Sequence, residues 1–346
     1  MRIRHSVPLA LSLLSVLVSP WIGWAASSMP DYKITGPVKS HNLEVFIIHG
    51  ADSMKGQQFL TLAEAMQQKT LKVFETGDVN ELACQNFSSR PVFIQSGDIV
   101  KGGRQDRTMQ YDLIVPPNSK RMPLSAFCVE SGRWQKRGAE SADTFSSAGK
   151  SISGKELKLA AKYKANQSEV WDNVSRSQSR LAMAVPVARA ASPVSAGYAS
   201  PTSLQLTMEN KELEKTSNSY AKDLQALAGR DKDAIGYAFS IDGKLNSADV
   251  YASHDLFVKL WPKLLESTSV EAIAQKPSKG PASATSSKPA QSEDVRSLLT
   301  SSEEGKASVK KVSDGTNQVT RDSAKAVYFE TQTKDNSWLH RNYITK

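Results

Sequence analysis

Ser96-Gly97-Asp98-Ile99-Val100-Lys101-Gly102-Gly103-Arg104-Gln105-Asp106-Arg107 decides how this chain is read. Residues 91–95 before it are apolar and strand-like. After it, Met109, Tyr111, Leu113 and Val115 alternate with polar or smaller residues, the period of a half-buried strand. A glycine-rich loop set between two strands is not a nucleotide-binding loop of an α/β fold. It lacks the Gly-Lys-Ser/Thr ending of a phosphate loop, and a dinucleotide fingerprint leads from strand into helix.

Working outward toward the N-terminus, residues 80–86 and 91–95 read as two strands joined by a hairpin-sized loop at 87–90. Residues 71–75 read as another strand. Thr61 with Glu64 three residues on has the spacing of a capping box for a short helix over 61–69. Residues 42–49 are apolar on both faces and predict a buried strand. On the other side, Pro116-Pro117-Asn118-Ser119 is a turn, and 122–130 returns as a strand. The first half therefore predicts a sandwich-like or barrel-like pair of sheets.

Composition changes after Trp134. Residues 141–153 are rich in Ser, Gly and Ala and read as a loop. Residues 155–163 and 167–181 read as helices, the second capped by Asn166, with Val170, Val174 and Leu181 on one face. A Pro/Ala/Ser/Gly loop follows at 186–201. Leu213, Tyr220, Leu224 and Leu227 mark a helix closed by Gly229. Ile235, Tyr237, Phe239 and Ile241 alternate, Asp242-Gly243 is a two-residue hairpin turn, and 244–251 returns. Ser253 caps a helix striped by Leu256, Leu260 and Leu264, which Pro262 is expected to kink or divide. Residues 276–294, mostly Lys, Pro, Ser and Ala, predict a disordered linker. A short helix near Leu298 and strands over 326–331 and 337–344 complete the chain, and those strands need partners in the N-terminal sheet. The fold class is α+β. The expected layout is a signal peptide over 1–25, a β-rich half over 26–135, a helical and hairpin half over 136–275, the linker over 276–294 and a C-terminal segment over 295–346.

The N-terminus has a basic start, an uncharged apolar run from Ser6, and small residues at Gly23 and Ala25. This is the pattern of a secretory signal cleaved after Ala25, and it places the protein in the periplasm or outside the cell, with no membrane span left after cleavage. Arg2 and Arg4 leave with that segment, lowering the net charge from +9 to +7. The excess is dispersed, without the runs that mark nucleic-acid binding. The two cysteines, Cys84 and Cys128, allow at most one disulfide, and spacing does not say whether it forms. The five histidines have no metal-ligand spacing, so neither a metal nor a cofactor is expected.

Site candidates fall in two segments. Gly102 and Gly103 can present backbone N–H groups to an anion, and Lys101, Arg104 and Arg107 add charge, the guanidinium fork suiting phosphate or carboxylate. Asp98 and Asp106 can equally neutralise those arginines in a structural turn. In the second segment, Cys128 and Glu130 lie two apart on one strand face, with Arg133 and Trp134 just beyond. A catalytic Cys128 would need a base, and His49 and His340 are the candidates near the β region.

These two blocks, Gly102-Gly103-Arg104-Gln105-Asp106-Arg107 and Cys128-Val129-Glu130-Ser131-Gly132-Arg133-Trp134, resemble the ARPP domain family. That family takes its name from an association with the ADP-ribosylglycohydrolase and rhodanese-phosphatase superfamilies. The resemblance extends through Ser168-Glu169-Val170-Trp171 and the stretch 234–265. It implies an association with ADP-ribose metabolism but carries no established activity. Three readings follow. In the first, this is an exported binding or accessory protein whose ligand-binding residues are Gly102, Gly103, Arg104, Gln105, Arg107, Arg133 and Trp134, and whose partner is an anionic small molecule or an envelope protein. In the second, it is a hydrolase-like enzyme acting on a phosphate- or ADP-ribose-type substrate, with Asp98, Asp106 or Glu130 as acid or base and Cys128 as the candidate nucleophile. In the third, it is a structural envelope protein.

Overall fold

A computed structural model describes residues 31–185, 202–276 and 288–346. The expected signal segment with its cleavage site, the loop expected at 186–201 and most of the expected linker lie outside the described residues.

The largest sheet has eight strands and is assembled from three parts of the chain. The N-terminus supplies β1 (Lys33–Ser40) and β2 (Leu43–His49). The middle supplies the hairpin β12 (Ala234–Ile241) and β13 (Lys244–Tyr251). The C-terminus supplies β14 (Lys306–Ser313), β15 (Thr316–Asp322), β16 (Ala326–Thr333) and β17 (Trp338–Thr345). Their order is β1-β2-β12-β13-β17-β16-β15-β14, all antiparallel. The late strands thus return to the sheet that holds β2, which is buried along its whole length. The β12–β13 turn has Asp242 and Gly243 both at positive φ, +51° and +76°, as a mirror-image hairpin turn needs.

The second sheet has six strands in the order β11-β7-β8-β10-β5-β4. These are β4 (Leu71–Glu75), β5 (Glu81–Asn86), β7 (Asp98–Gly102), β8 (Arg107–Met109), β10 (Met122–Cys128) and β11 (Phe145–Ile152). Its two edge strands meet at a Phe74–Thr144 bridge, so the sheet curls toward a barrel. The small third sheet joins β3 (Leu60–Thr61), β6 (Val92–Ile94) and β9 (Leu113–Val115).

Strand β10 separates two cores, as its alternation requires. Leu124 and Ala126 face the core of the curled sheet, while Phe127 and Val129 face a larger core under the helices. The helices are α1 (Leu62–Gln67), α2 (Lys155–Lys158) continuing as a π-turn over Leu159–Tyr163, α3 (Gln167–Ala184), α4 (Leu204–Met208), α5 (Lys211–Ala221), α6 (Leu227–Arg230), α7 (His254–Ala274) and α8 (Ser292–Glu303). The Thr61–Glu64 capping box forms, and Asn166 and Ser253 cap α3 and α7. Helix α7 packs Phe257 and Trp261 against Tyr237 of β12, burying the apolar face of the large sheet. Among the described residues no helix is long and apolar enough to cross a membrane.

Several local expectations need correction. Residues 80–95 are not a hairpin, because β5 and β6 lie in different sheets. The Asn86 side chain donates to the carbonyls of Arg90 (2.7 Å) and Pro116 (3.0 Å), and so turns the chain out of one sheet into the other. The alternating run 109–115 is likewise two short strands. Between them Asp112 is buried and accepts from the Ser96 N–H at 2.7 Å, which breaks the ladder. The expected loop at 141–153 contains β11. Gly229 lies inside α6, and α5 ends earlier at Ala221. Pro262 does not divide α7. The linker region ends earlier than expected, since α8 starts at Ser292.

Candidate functional site

The chain leaves β7 through Gly102 and Gly103, both at positive φ (+118° and +52°), and re-enters the sheet at Arg107. A side chain at Gly103 would sit 2.3 Å from the Phe145 ring, so glycine is required there by space as well as by backbone. The tight turn folds Asp106 under the loop, fully buried, where its carboxylate is the hub of a network. One oxygen accepts from Gly102 N–H (3.1 Å) and Arg137 Nη2 (3.1 Å). The other accepts from Arg137 Nη1 (3.0 Å) and the Ser203 hydroxyl (2.8 Å). The two parallel bonds from Arg137 form a bidentate fork, the strong geometry for this pair. Burial works to lower the Arg137 pKa, but Asp106 and Glu140 outweigh it and hold the guanidinium above its ordinary value.

Glu130 is also fully buried. It accepts from Arg133 Nε (2.7 Å) and Nη2 (2.6 Å), and from the backbone N–H of Asp106 (3.1 Å). Arg133 bonds onward to the Gly103 carbonyl at 3.2 Å, tying the second segment to the glycine turn. Glu75 on β4 completes the lattice. It takes the backbone N–H of Arg104 (3.0 Å) and lies 3.7 Å from the Arg107 guanidinium.

Arg107 is the largest fully buried side chain among the described residues. Its Nη1 donates to the Cys128 sulfur at 2.6 Å and to Gln105 at 3.3 Å, while Nε and Nη2 have no hydrogen-bond partner among the described residues. The Trp134 ring covers it, 5.6 Å from the guanidinium carbon, and stacks on Arg104 at 5.4 Å. Trp134 (43% exposed) and Arg104 are the two large side chains of the block that are exposed to solvent.

The family called ARPP-1, the ARG and Rhodanese-Phosphatase-superfamily-associated Protein domain, matches residues 31–344. The chain belongs to this family. No curated protein and no solved structure matches it.

In this ARPP-1 domain the fold gathers nearly all the residues singled out from sequence. Gly102, Gly103, Arg104, Gln105, Asp106 and Arg107 meet Cys128, Glu130, Arg133 and Trp134. Asp98 stands apart, buried at the start of β7. It accepts from the Gln95 N–H (2.9 Å) and pairs with Lys263 of α7. Strand β10 ends at Cys128, so Glu130 enters the site from the loop rather than from the strand face. Glu75, Arg137, Glu140 and Ser203 were not legible as site residues. Arg137 lies in an irregular stretch, and Ser203 reads as a helix cap, a role it also fills by accepting from Leu206 N–H.

Both cysteines are free and buried, Cys84 in the core of the curled sheet and Cys128 against Arg107. Burial pushes the Cys128 thiol up to about 11, outweighing Arg107, and the Cys84 thiol up to about 12. A thiolate nucleophile needs the opposite shift. Neither candidate histidine reaches Cys128. His49 bonds Thr35 and Asp233, and His340 is buried between Asp112 (2.7 Å) and Asp249 (3.0 Å), which raise its pKa against the opposing effect of burial. Among the described residues no cluster of His, Cys, Asp or Glu is arranged to hold a metal ion.

Proposed function

We propose that this ARPP-1 protein is an exported, non-catalytic binding protein. The buried ion-pair network of its signature block is a scaffold, and recognition occurs at the corner where Arg104 and Trp134 emerge. The observation that carries this reading is the burial of Asp98, Asp106 and Glu130, each held by a cation rather than facing a cleft. A general acid or base must reach substrate within hydrogen-bond distance, and these carboxylates spend their oxygens on arginine, lysine and backbone donors. The exposed Trp–Arg pair has the composition of an interface anchor, and the cationic head favours an acidic partner.

Export rests on the N-terminal signal pattern. The test is a thermal-shift screen of the mature chain against inorganic phosphate, ADP-ribose and acidic peptidoglycan fragments, run beside hydrolysis assays on the same compounds. A bound ligand raises stability by about 2.7 kcal/mol at a hundredfold excess over its dissociation constant. The expected result is no turnover with any compound, and a shift in wild type that Arg104→Ala or Trp134→Ala abolishes. Turnover, or a shift indifferent to both variants, would overturn the proposal.

A further inference from the structure

A second region of the molecule carries unmatched charge. Helices α2, α3, α4 and α7 enclose a cleft of about 320 Å³, at the small end of the roughly 300–1,000 Å³ typical of small-molecule sites. None of the signature-block residues lines it. Leu157, Leu204, Met208 and Val270 form an apolar floor, each almost wholly shielded from solvent. Arg176 and Arg180 line one wall. They lie four apart on α3 and therefore on one face, where like charges repel. Arg176 donates to Asn173 at 2.8 Å, and neither arginine has a carboxylate partner among the described residues.

Two acidic groups share the cleft. Glu156 is exposed at the rim. Glu271 is spoken for: it accepts from the Lys155 N–H at 3.2 Å and from Asn246 at 2.6 Å. The shape is therefore an apolar pocket with a guanidinium pair at one side. That arrangement recognises a molecule with two unlike ends, since planar arginine forks suit carboxylate or phosphate and the floor gains by covering hydrocarbon.

We propose that this cleft binds a small amphipathic anion, its carboxylate or phosphate on Arg176 and Arg180 and a medium-length acyl or alkyl tail on the Leu157–Leu204–Met208–Val270 floor. The site is independent of the Arg104–Trp134 corner, so the two proposals stand or fall separately.

The test is calorimetric titration of the mature protein with octanoate, decanoate and decyl phosphate, all below their micelle concentrations, with inorganic phosphate and decanol as half-ligands. Wild type is expected to bind the decyl compounds, to gain roughly threefold to fourfold in affinity per added methylene, and to bind either half-ligand at least tenfold more weakly. The double variant Arg176→Ala/Arg180→Ala should lose at least tenfold toward the anions while decanol is unchanged. Met208→Trp, which fills the floor without touching charge, should abolish binding of the tail. Arg104→Ala, at the other site, should leave the chain-length dependence of decanoate binding unchanged. Binding that ignores the arginine pair, binding that ignores tail length, or no binding of either decyl anion by folded wild-type protein would each overturn the proposal.

Discussion

The signature block and the helical cleft use the same side chain to opposite ends. In the block, Arg107 and Arg137 are buried and Arg133 is mostly shielded, all against Glu75, Asp106, Glu130 and Glu140. In the cleft, Arg176 and Arg180 are exposed and face an apolar floor, with no ion-pair partner among the described residues. A buried guanidinium must be matched internally, because water cannot solvate it and the desolvation cost is several kcal/mol. An exposed one is solvated already and keeps its fork for something else. Density of charge in a sequence therefore points to the place where charge is consumed, and a functional cation can sit in an unremarkable helix.

The sharpest way to break this comparison is to remove the hub of the block. Asp106→Ala would strand Arg137 and part of Arg133 in the interior, together with the Gly102 N–H and the Ser203 hydroxyl. Removing one partner of a buried pair costs about 3–5 kcal/mol, and that loss is expected in urea unfolding. A loss below about 1 kcal/mol would mean that the lattice is not structural. Next in size is Gly103→Ala, whose new methyl would meet the Phe145 ring at 2.3 Å and Glu75 Oε2 at 2.8 Å on a backbone with φ of +52°. Overpacking of this kind costs about 1–3 kcal/mol, again read by urea unfolding. Gly132→Ala, with open space around its Cβ, serves as the control for positive φ alone.

The thiol of the block gives a pH test. Cys128 and Cys84 have folded-state values raised to about 11 and about 12, above the roughly 8.5 of a free thiol. Folding therefore favours the protonated thiols. Their contribution is fully present below about pH 8.5 and is lost progressively as pH rises through the folded-state values. Iodoacetamide labelling of native protein at pH 9 is expected to be limited by unfolding, with both thiols reacting at the rate of global opening. Rapid labelling of Cys128 alone would reveal an accessible thiolate and reopen the nucleophile reading.

Much of the fold could be read from the chain wherever a strand was buried on one or both faces. β2 showed as an apolar run, the β12–β13 hairpin as an alternation around Asp242-Gly243, and β16 and β17 were expected close to their observed bounds. The strands that escaped were edges or polar. β1 holds Gly36-Pro37 with a bulge at that point, acceptable only because one side of the strand is unpaired. β14 is lysine-rich and exposed, as an edge strand that resists further pairing should be. β11 closes the curled sheet with Ser and Gly, and its partner across the seam is β4, far away in sequence. The site divided in the same way. Gly102, Asp106, Glu130 and Arg133 were visible because they are compressed into two short segments. Arg137 and Glu75 were not, because only the tertiary fold brings them to Asp106 and Arg107.

The smallest expected effect discriminates best between the two regions. Arg180→Ala removes an exposed side chain that has no ion pair among the described residues, so its cost to stability should stay within about 0.5 kcal/mol, and it relieves a like-charge contact with Arg176 four residues away. Arg137→Ala, the matching change in the block, deletes the bidentate partner of a buried carboxylate and belongs with the large losses. Urea unfolding of the two variants side by side should therefore differ by several kcal/mol although each deletes one guanidinium. Equal losses would show that Arg180 is a structural residue after all, and the unmatched charge that distinguishes the cleft from the block would have to be sought in Arg176 alone.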